Sequence, residues 1–318
     1  MKVSVIICTR NQADYLKTAI SSVLSNTYQN FELLLIDQST NELTKEAVQL
    51  YAEQDSRVRY FHMSIRGKCL GLNYGIKISQ GEIVAITDSD CLVAQDWLEK
   101  IIFVFNRYPD IDIVYGSLIP DIDSKKKWFV PGVILRDRIF SGPRSKIFEN
   151  GMGANMAIRR RLFEKIGYFD EFLGPGSFFC GGDEWDFSYR ALKNGSKVAH
   201  SSSIKVKHFG RRDSSQWGEL LKGYRIADAA VFFKHIRCFD LDAAYVLIGS
   251  YIIYIHRVVK IKTADLDNRG LIQRIVYKIY LFFLLSFCFL KGIVLSMKFP
   301  VDRRRQIFYE EPSIFKYK

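Results

Sequence analysis

The sequence predicts an α/β fold in which a mostly parallel central sheet is flanked by helices. Three observations lead to this prediction. Short apolar runs alternate with amphipathic segments along residues 1–120. The apolar runs are nearly continuous, as is typical of parallel strands that are buried on both faces. The chain has 318 residues and 48% hydrophobic content, which is enough for a large core.

The elements follow from these patterns in chain order. Predicted strands in the first part of the chain cover 3–8, 31–36, 58–62, 83–87 and 113–116. The predicted helices between them include 44–54, 70–79 and 96–108, and Asn11 is predicted to cap the first helix. In an open sheet of this kind, ligands bind outside the carboxyl ends of the strands.

The pattern lapses over 121–150, where Lys125, Lys126 and Lys127 and the pair Gly142-Pro143 predict a loop-rich insertion. Regular patterning then returns. Strands are predicted at 154–158 and 204–208, with a single strand-like position at Val198, and helices are predicted at 160–166, 184–193 and 217–235.

The C-terminal region is apolar and basic. The uncharged block 279–290 lies between Lys278 and Lys291, and three arginines follow at 303–305. A spanning helix needs about 17–25 apolar residues, so this block favours a helix in the membrane interface. A buried helix and a true span remain alternatives.

The net charge of +12 suits nucleic acid, anionic lipid or phosphorylated ligands. The basic residues are spread along the chain and no recognition helix appears, so no nucleic-acid partner is expected. The six cysteines form no CxxC pair, so a zinc-finger site is not supported. Cys8 and Cys288 lie in apolar runs, which indicates buried or lipid-facing thiols and favours a reducing compartment. The first ten residues do not resemble a signal peptide, so a cytoplasmic location is expected.

Asp88 and Asp90 follow the fourth predicted strand. Alternate side chains of an extended segment point the same way, so both carboxylates can face one cation. Carboxylate oxygens suit Mg²⁺ or Mn²⁺ bridging to phosphate. A D-x-D alone is also common in acidic turns; its position at the end of a buried strand favours the metal site.

Other polar residues lie at the same predicted edge. Asp37 ends the second strand and can accept hydrogen bonds from a base or ribose, or cap its own turn. Thr9 and Arg10 end the first strand, and Arg66 and Lys68 occupy a flexible turn; the cations could meet a phosphate or lie in solvent.

A second acidic motif opens the helix predicted at 184–193. Asp183 and Glu184 follow Gly181-Gly182, and a carboxylate there can take a proton from an acceptor hydroxyl or merely compensate the helix dipole. His208 ends a short strand and could complete a metal shell, although a lone histidine is more often structural.

Five segments taken in order resemble the family 2 glycosyltransferases. They are Ser4–Asn11, Ile36–Ser39, Gly81–Ala85, Asp88-x-Asp90 and Gly182-Asp183-Glu184-x-Asp186-Phe187-x-x-Arg190. The resemblance covers about residues 1–210. It implies a GT-A fold and an inverting transfer of a sugar from a nucleotide-diphosphate sugar, with Mn²⁺ or Mg²⁺ as cofactor.

The resemblance also implies residue roles. Thr9, Arg10 and Asp37 match nucleotide-holding positions, and Asp88 and Asp90 match the ribose- and metal-contacting motif. The base position falls on Glu184 where many members have Asp, so Asp183 stays an alternative. The acceptor side is implied at Asn155 and Trp185. Asn73 matches a donor-side position whose preceding residue is commonly Arg but here is Leu72; Arg66 or Lys68 could supply that charge.

The expected enzyme is therefore a metal-dependent glycosyltransferase acting from a UDP-sugar on a glycan or lipid-linked acceptor. It is expected to be peripheral at the cytoplasmic face of an anionic membrane. Its predicted regions are a donor half (1–120), an acceptor half (121–235) and a membrane-associating region (236–318). A sugar nucleotidyltransferase and a non-catalytic membrane-surface protein are the rival functions.

Overall fold

The computed structural model describes residues 1–120, 132–145, 151–210, 214–260 and 271–310. Lys125, Lys126 and Lys127, which belong to the predicted loop-rich insertion, lie outside these residues. The chain divides into two compact units. The N-terminal unit comprises Met1–Ser177 and Asp183–Asp213, and the C-terminal unit comprises Phe178–Gly182 and Ser214–Lys318. The functional regions predicted at 1–120, 121–235 and 236–318 remain predictions.

The first part of the N-terminal unit alternates strand and helix, as the sequence predicts. Its strands are β1 (Val3–Thr9), β2 (Phe31–Asp37), β3 (Val58–His62) and β4 (Ile83–Asp88). Its helices are α1 (Ala13–Leu24), α2 (Leu43–Gln54), α3 (Lys68–Ile78) and α4 (Trp97–Arg107). The strands pair in parallel in the order β3-β2-β1-β4, so their carboxyl ends share one edge.

The other half of the same sheet is mixed. It contains β5 (Cys91–Val93), β6 (Ile111–Pro120), β7 (Arg138–Ser141), β8 (Asn155–Arg159) and β9 (Lys197–His208). The sheet continues β4-β8-β6-β9-β5, with β7 also on β9. Of these pairings β6 with β9 is parallel and the others are antiparallel. Helices α5 (Arg160–Ile166) and α6 (Asp183–Lys193) complete the unit.

Both faces of the sheet are buried, which explains the continuous apolar runs. Alternate residues of β1 belong to different cores: Val5 and Ile7 lie with α1 and α4, whereas Ile6 lies with α3, α5 and α6. The predicted α/β class is therefore confirmed.

Two local predictions differ from the structure. Asn11 does not cap α1; its backbone has a φ of 54°, and its side-chain Oδ1 accepts the Thr40 N–H at 3.0 Å. The strand predicted at 204–208 is the end of the 12-residue β9. β5 was missed because three residues carry no readable alternation.

The C-terminal unit contains α7 (Ser214–Ile236), α8 (Leu241–Lys260), α9 (Leu271–Ser296) and a hairpin of β10 (Val301–Asp302) and β11 (Ile307–Phe308). The uncharged block 279–290 lies within α9, which continues through Lys278 and Lys291 to 26 residues. By length and composition alone, α8 and the segment Ile272–Ser296 could each cross a membrane.

The buried ring of His200 makes acid stability testable. It packs between Tyr115 and Phe140, and burial, assisted by Arg138, lowers its pKa from 6.5 to about 4. The unfolded chain therefore binds more protons below pH 6.5, and stability falls as the pH drops toward 4. This contribution reaches roughly 3 kcal/mol at 1.36 kcal/mol per pKa unit.

We expect His200→Phe to remove that part of the acid slope in urea unfolding measured from pH 7.5 to 4. At pH 7.5 the histidine is neutral in both states, so the comparison there isolates the packing effect of the substitution. An unchanged slope below pH 6.5 would show that His200 takes up its proton in the folded chain.

Candidate active site

The ends of β1, β2 and β4 bring three predicted site residues to one edge of the sheet. Thr9 pairs in register with Asp37, and Asp88 pairs with Cys8, the residue before Thr9. This follows from parallel pairing, since neighbouring strands that run the same way end together. The sequence-predicted edge is thus formed.

Lys68, at the start of α3, joins the two acidic motifs. Its Nζ lies 2.5 Å from Asp88 Oδ1, and both side chains are largely buried. Burial opposes the charge of Lys68, but Asp88, Asp183 and Glu184 together hold its pKa well above the usual value. The lysine is therefore the counter-ion of a carboxylate cluster, in addition to the predicted role at phosphate.

Asp183 and Glu184 open α6 next to this lysine. Burial, followed by the charge of Glu184, raises the pKa of Asp183 well above its usual value, and the two side chains share a hydrogen bond. Glu184 Oε1 accepts the backbone N–H of Gly153 at 2.9 Å. A Cβ at Gly153 would lie 2.8 Å from that oxygen, so only glycine allows this approach.

Buried pairs hold α6 in place. Asp186 accepts from Arg190 Nε at 2.9 Å, and both side chains are at most 2% exposed. The other guanidinium nitrogens donate to the carbonyls of Ile166 and Tyr168, each at 2.8 Å. The end of the acidic motif is thus structural: it ties the helix that carries Glu184 to the turn after α5.

Asp90 faces His208 because β5 pairs with the end of β9. Cys91 lies opposite His208 in the register, and Asp90 Oδ1 is 3.7 Å from His208 Nε2. Ligand atoms of Asp90, Cys91 and His208 all lie within 4.8 Å of one another. Oxygen and imidazole ligands fit Mn²⁺ or Mg²⁺, with imidazole better suited to Mn²⁺.

Cys91 and Asp88 fit such a cation less well. Sulfur is a soft ligand and suits Mn²⁺ or Mg²⁺ less well than oxygen does, and burial raises the pKa of the Cys91 thiol. Asp88 is engaged by Lys68. Asp90 and His208 are therefore the residues that fit a divalent cation best among those predicted.

Asp37 is fully buried, and both of its oxygens accept hydrogen bonds. Oδ1 takes the Ser39 N–H at 2.9 Å and Oδ2 takes the Tyr60 hydroxyl at 2.8 Å. Thr9 Oγ1 is buried without a hydrogen-bond partner in the described part of the chain. Arg10 and Arg66 are exposed cations.

The two predicted asparagines serve as structural links. Asn73 exchanges hydrogen bonds with the backbone of Phe169 at 3.0 Å and donates to Glu171. Asn155 accepts from Trp97 and donates to the carbonyls of Ser117 and Ile204. Trp185 is half-buried in the first turn of α6. The amide of Asn73 thus holds a loop, and that of Asn155 holds two strands.

Sequence reasoning placed Gly153 only in the segment of Asn155 and missed Tyr60. The only signal for Gly153 is its place two residues before Asn155, and Tyr60 looks like any strand aromatic. Tyr115 was also missed. Its hydroxyl shares a 2.7 Å hydrogen bond with the hydroxyl of Ser188 on α6, the helix that carries Glu184.

Known proteins are similar to this chain in sequence and in fold. The sequence model of the family described as "Glycosyl transferase family 2" matches residues 4–167. The glucosyl-dolichyl phosphate glucuronosyltransferase of Haloferax volcanii is 26% identical over 227 residues, covering 68% of this chain and 72% of that protein. An uncharacterized glycosyltransferase of Rickettsia felis is 40% identical over 175 residues, covering 54% of this chain and 29% of that protein.

Solved structures agree on the fold. TarS 1-349 of S. aureus, in complex with UDP-GlcNAc, has a TM-score of 0.61 at 16% identity, covering 96% of this chain and 90% of that one. The mannosyltransferase PcManGT from Pyrobaculum calidifontis, in complex with GDP-Man and Mn²⁺, has a TM-score of 0.60 at 18% identity, covering 93% and 87%. The family match spans just over half of the chain, and the chain belongs to glycosyl transferase family 2.

Proposed function

We propose that this glycosyltransferase is inverting and metal-dependent, and that it moves a sugar from a UDP-sugar to a hydroxyl of a glycan or lipid-linked acceptor. The observation that carries the proposal is the cluster around Lys68. It joins Asp88, at the donor edge of the sheet, to Asp183 and Glu184, the candidate bases. Leaving group and acceptor need such proximity in a single-displacement reaction.

The donor half of the proposal uses the strand ends. Asp37 oxygens retain lone pairs for a base N–H or a ribose hydroxyl, and Thr9 Oγ1 is a buried polar atom available beside them. Arg10 and Arg66 supply fixed positive charge for the diphosphate. Tyr60 holds the Asp37 carboxylate in orientation.

Asp90 and His208 would hold the divalent cation, either Mn²⁺ or Mg²⁺. Such an ion neutralises the charge that develops on a departing diphosphate. Lys68 fixes Asp88 beside Asp90, so that Asp88 can contact the donor's ribose or complete the shell. The mannosyltransferase from Pyrobaculum calidifontis, solved with Mn²⁺, is consistent with this role on the same fold.

Glu184 is the proposed base. Burial and the charge of Glu184 raise the pKa of Asp183, which disfavours its charged, proton-accepting form, whereas Glu184 accepts the Gly153 N–H. The acceptor oxygen forms its bond to the anomeric carbon as the bond to the diphosphate oxygen breaks. Its proton passes to Glu184. Attack from the face opposite the leaving group inverts the anomeric configuration.

The acceptor is proposed to be membrane-proximal, at the cytoplasmic face. Two apolar C-terminal helices support this location. The Haloferax volcanii relative is named for a dolichyl phosphate substrate, which supports a lipid-linked acceptor. Asn155 and Trp185 are the proposed acceptor-side residues.

A thermal-shift screen of nucleotide sugars with and without Mn²⁺ identifies the donor, since a ligand that binds only the folded state stabilises it. The products of that donor are then followed by proton NMR. We expect nucleoside diphosphate release and an inverted anomeric configuration. A retained configuration would refute the single displacement, and release of pyrophosphate would identify a nucleotidyltransferase instead.

A further inference from the structure

Helix α9 has an apolar face that the described parts of the chain leave uncovered. Side chains of this face are 51–65% exposed and recur every three or four residues, which places them on one side of the helix. They are Val276, Ile279, Phe283, Phe287, Leu290 and Val294. At 1.5 Å per residue the stripe is about 27 Å long.

Helix α8 carries a matching stripe. Its members are 58–81% exposed and lie three, four or seven residues apart, on one side of the helix: Leu241, Tyr245, Ile248, Ile252 and Val259. α8 and α9 pack side by side. The ring centroids of Tyr251 and Phe289 are 4.8 Å apart, and the hydroxyls of Tyr251 and Ser286 share a hydrogen bond. Together the stripes form one surface, here called the apolar face.

The opposite side of α9 is buried against α7. Leu285, Cys288, Gly292 and Ser296 are the buried positions, again three or four residues apart. A Cβ at Gly292 would collide with the carbonyl oxygen of Ile226 and lie 2.9 Å from Ala229 Cβ on α7. The backbone of α9 therefore rests directly on α7.

From these opposite faces we infer that α8 and α9 lie in the plane of an anionic bilayer surface, with the apolar face in lipid and the α7 side in protein. This inference specifies how the membrane location in the proposed function is achieved. It does not depend on the transfer chemistry. In this arrangement neither α8 nor α9 crosses the bilayer.

Charges on α7 argue against a span. Glu219 and Lys222 pair at 2.6 Å, and the Glu219 side chain is 77% exposed. Glu219 and Lys222 are close enough to Cys288 to influence its pKa, and Tyr280 is close enough to Lys222 to influence the pKa of the lysine. The Glu219–Lys222 pair therefore lies beside the middle of α9. If α9 crossed a bilayer, an exposed carboxylate would lie near the hydrocarbon centre, where ionised groups are costly. An in-plane helix leaves this pair in water.

Basic residues complement an anionic surface. Lys260 ends α8, and Lys298 follows α9; both are exposed. The exposed arginines 303–305 form the tip of the β10–β11 hairpin, whose turn is fixed by Asp302 Oδ1 accepting two backbone N–H groups. Lys and Arg at the ends of an apolar stripe bind anionic head groups.

The first test is co-flotation of the purified chain with vesicles of phosphatidylglycerol and phosphatidylcholine. We expect the wild type to float and Phe283→Glu with Phe287→Glu to lower the partition coefficient by about tenfold or more. Phe103→Glu is the matched control, because Phe103 is 63% exposed on α4 and Phe283 is 65% exposed. Equal flotation of the variant and the control would overturn the inference.

The second test separates the in-plane arrangement from a span. Trypsin is added to intact spheroplasts of an expressing bacterium, with lysed spheroplasts as the positive control. A spanning pair of helices exposes Lys262 and Arg269 outside the cell, whereas the in-plane arrangement protects the whole chain until lysis. Cleavage in intact spheroplasts would refute the inference. Self-association that buries the apolar face in a lipid-free dimer, detected by light scattering together with failure to float, would also refute it.

Discussion

Glu184→Gln should lower kcat by about 10²–10⁴-fold, the usual contribution of a general base, while donor affinity stays within about threefold of the wild type. The amide keeps the size of the side chain, and its oxygen can still accept the Gly153 N–H. It cannot take the acceptor proton. Single-turnover transfer and calorimetric titration of the donor measure the two quantities separately.

Asp183→Asn distinguishes the two neighbouring carboxyls. Because burial and the charge of Glu184 raise the pKa of Asp183 and so disfavour its proton-accepting form, we expect Asp183→Asn to cost less activity than Glu184→Gln. Glu164→Gln, on the exposed side of α5, controls for a general loss of charge. A larger loss in Asp183→Asn than in Glu184→Gln would move the base to Asp183.

Arg190→Met should destabilise the folded chain by about 3–5 kcal/mol, since breaking a buried pair leaves an uncompensated charge. Asp186 is fully buried and would lose its ion pair with Arg190. The carbonyls of Ile166 and Tyr168 would lose their donors as well. Urea unfolding at pH 7.5 measures the change in free energy.

Two further variants serve as comparisons for that measurement. Lys100→Met breaks the exposed Lys100–Asp96 pair on α4 and should cost less than about 1 kcal/mol. Adding Asp186→Asn to Arg190→Met should restore part of the lost stability, because the buried charge is removed. A loss in Arg190→Met as small as in Lys100→Met would show that the buried pair does not hold α6.

Much of the parallel half of the fold follows from the sequence, because strands buried on both faces must be apolar throughout. Val3–Thr9 and Phe31–Asp37 are readable for that reason. β5 is not readable, since it is three residues long and is defined by its partner β9. The bounds of α9 are less readable, because the helix continues through Lys278 and Lys291 on either side of the uncharged block 279–290.

The candidate site is likewise only partly predictable from the sequence. Asp37 and Asp88 are predictable because they end strands at a shared edge, and Asp90 follows Asp88 by two residues. The partners of Asn73 and Asn155 are not predictable: an amide bonds whatever the tertiary fold brings near it, here a loop and two strands. Likewise no local pattern indicates that Lys68 meets Asp88, Asp183 and Glu184, residues up to 116 positions away.

Donor binding to the wild type and to Asp90→Asn tests the central claim most directly. The donor identified by thermal shift is titrated calorimetrically with Mn²⁺ and, separately, with EDTA. We predict that the wild type binds it with Mn²⁺ and loses at least about tenfold in affinity in EDTA. Asp90→Asn should bind weakly in both, while Asp96→Asn behaves as the wild type. Equal donor affinity of Asp90→Asn and wild type in Mn²⁺ would contradict the account.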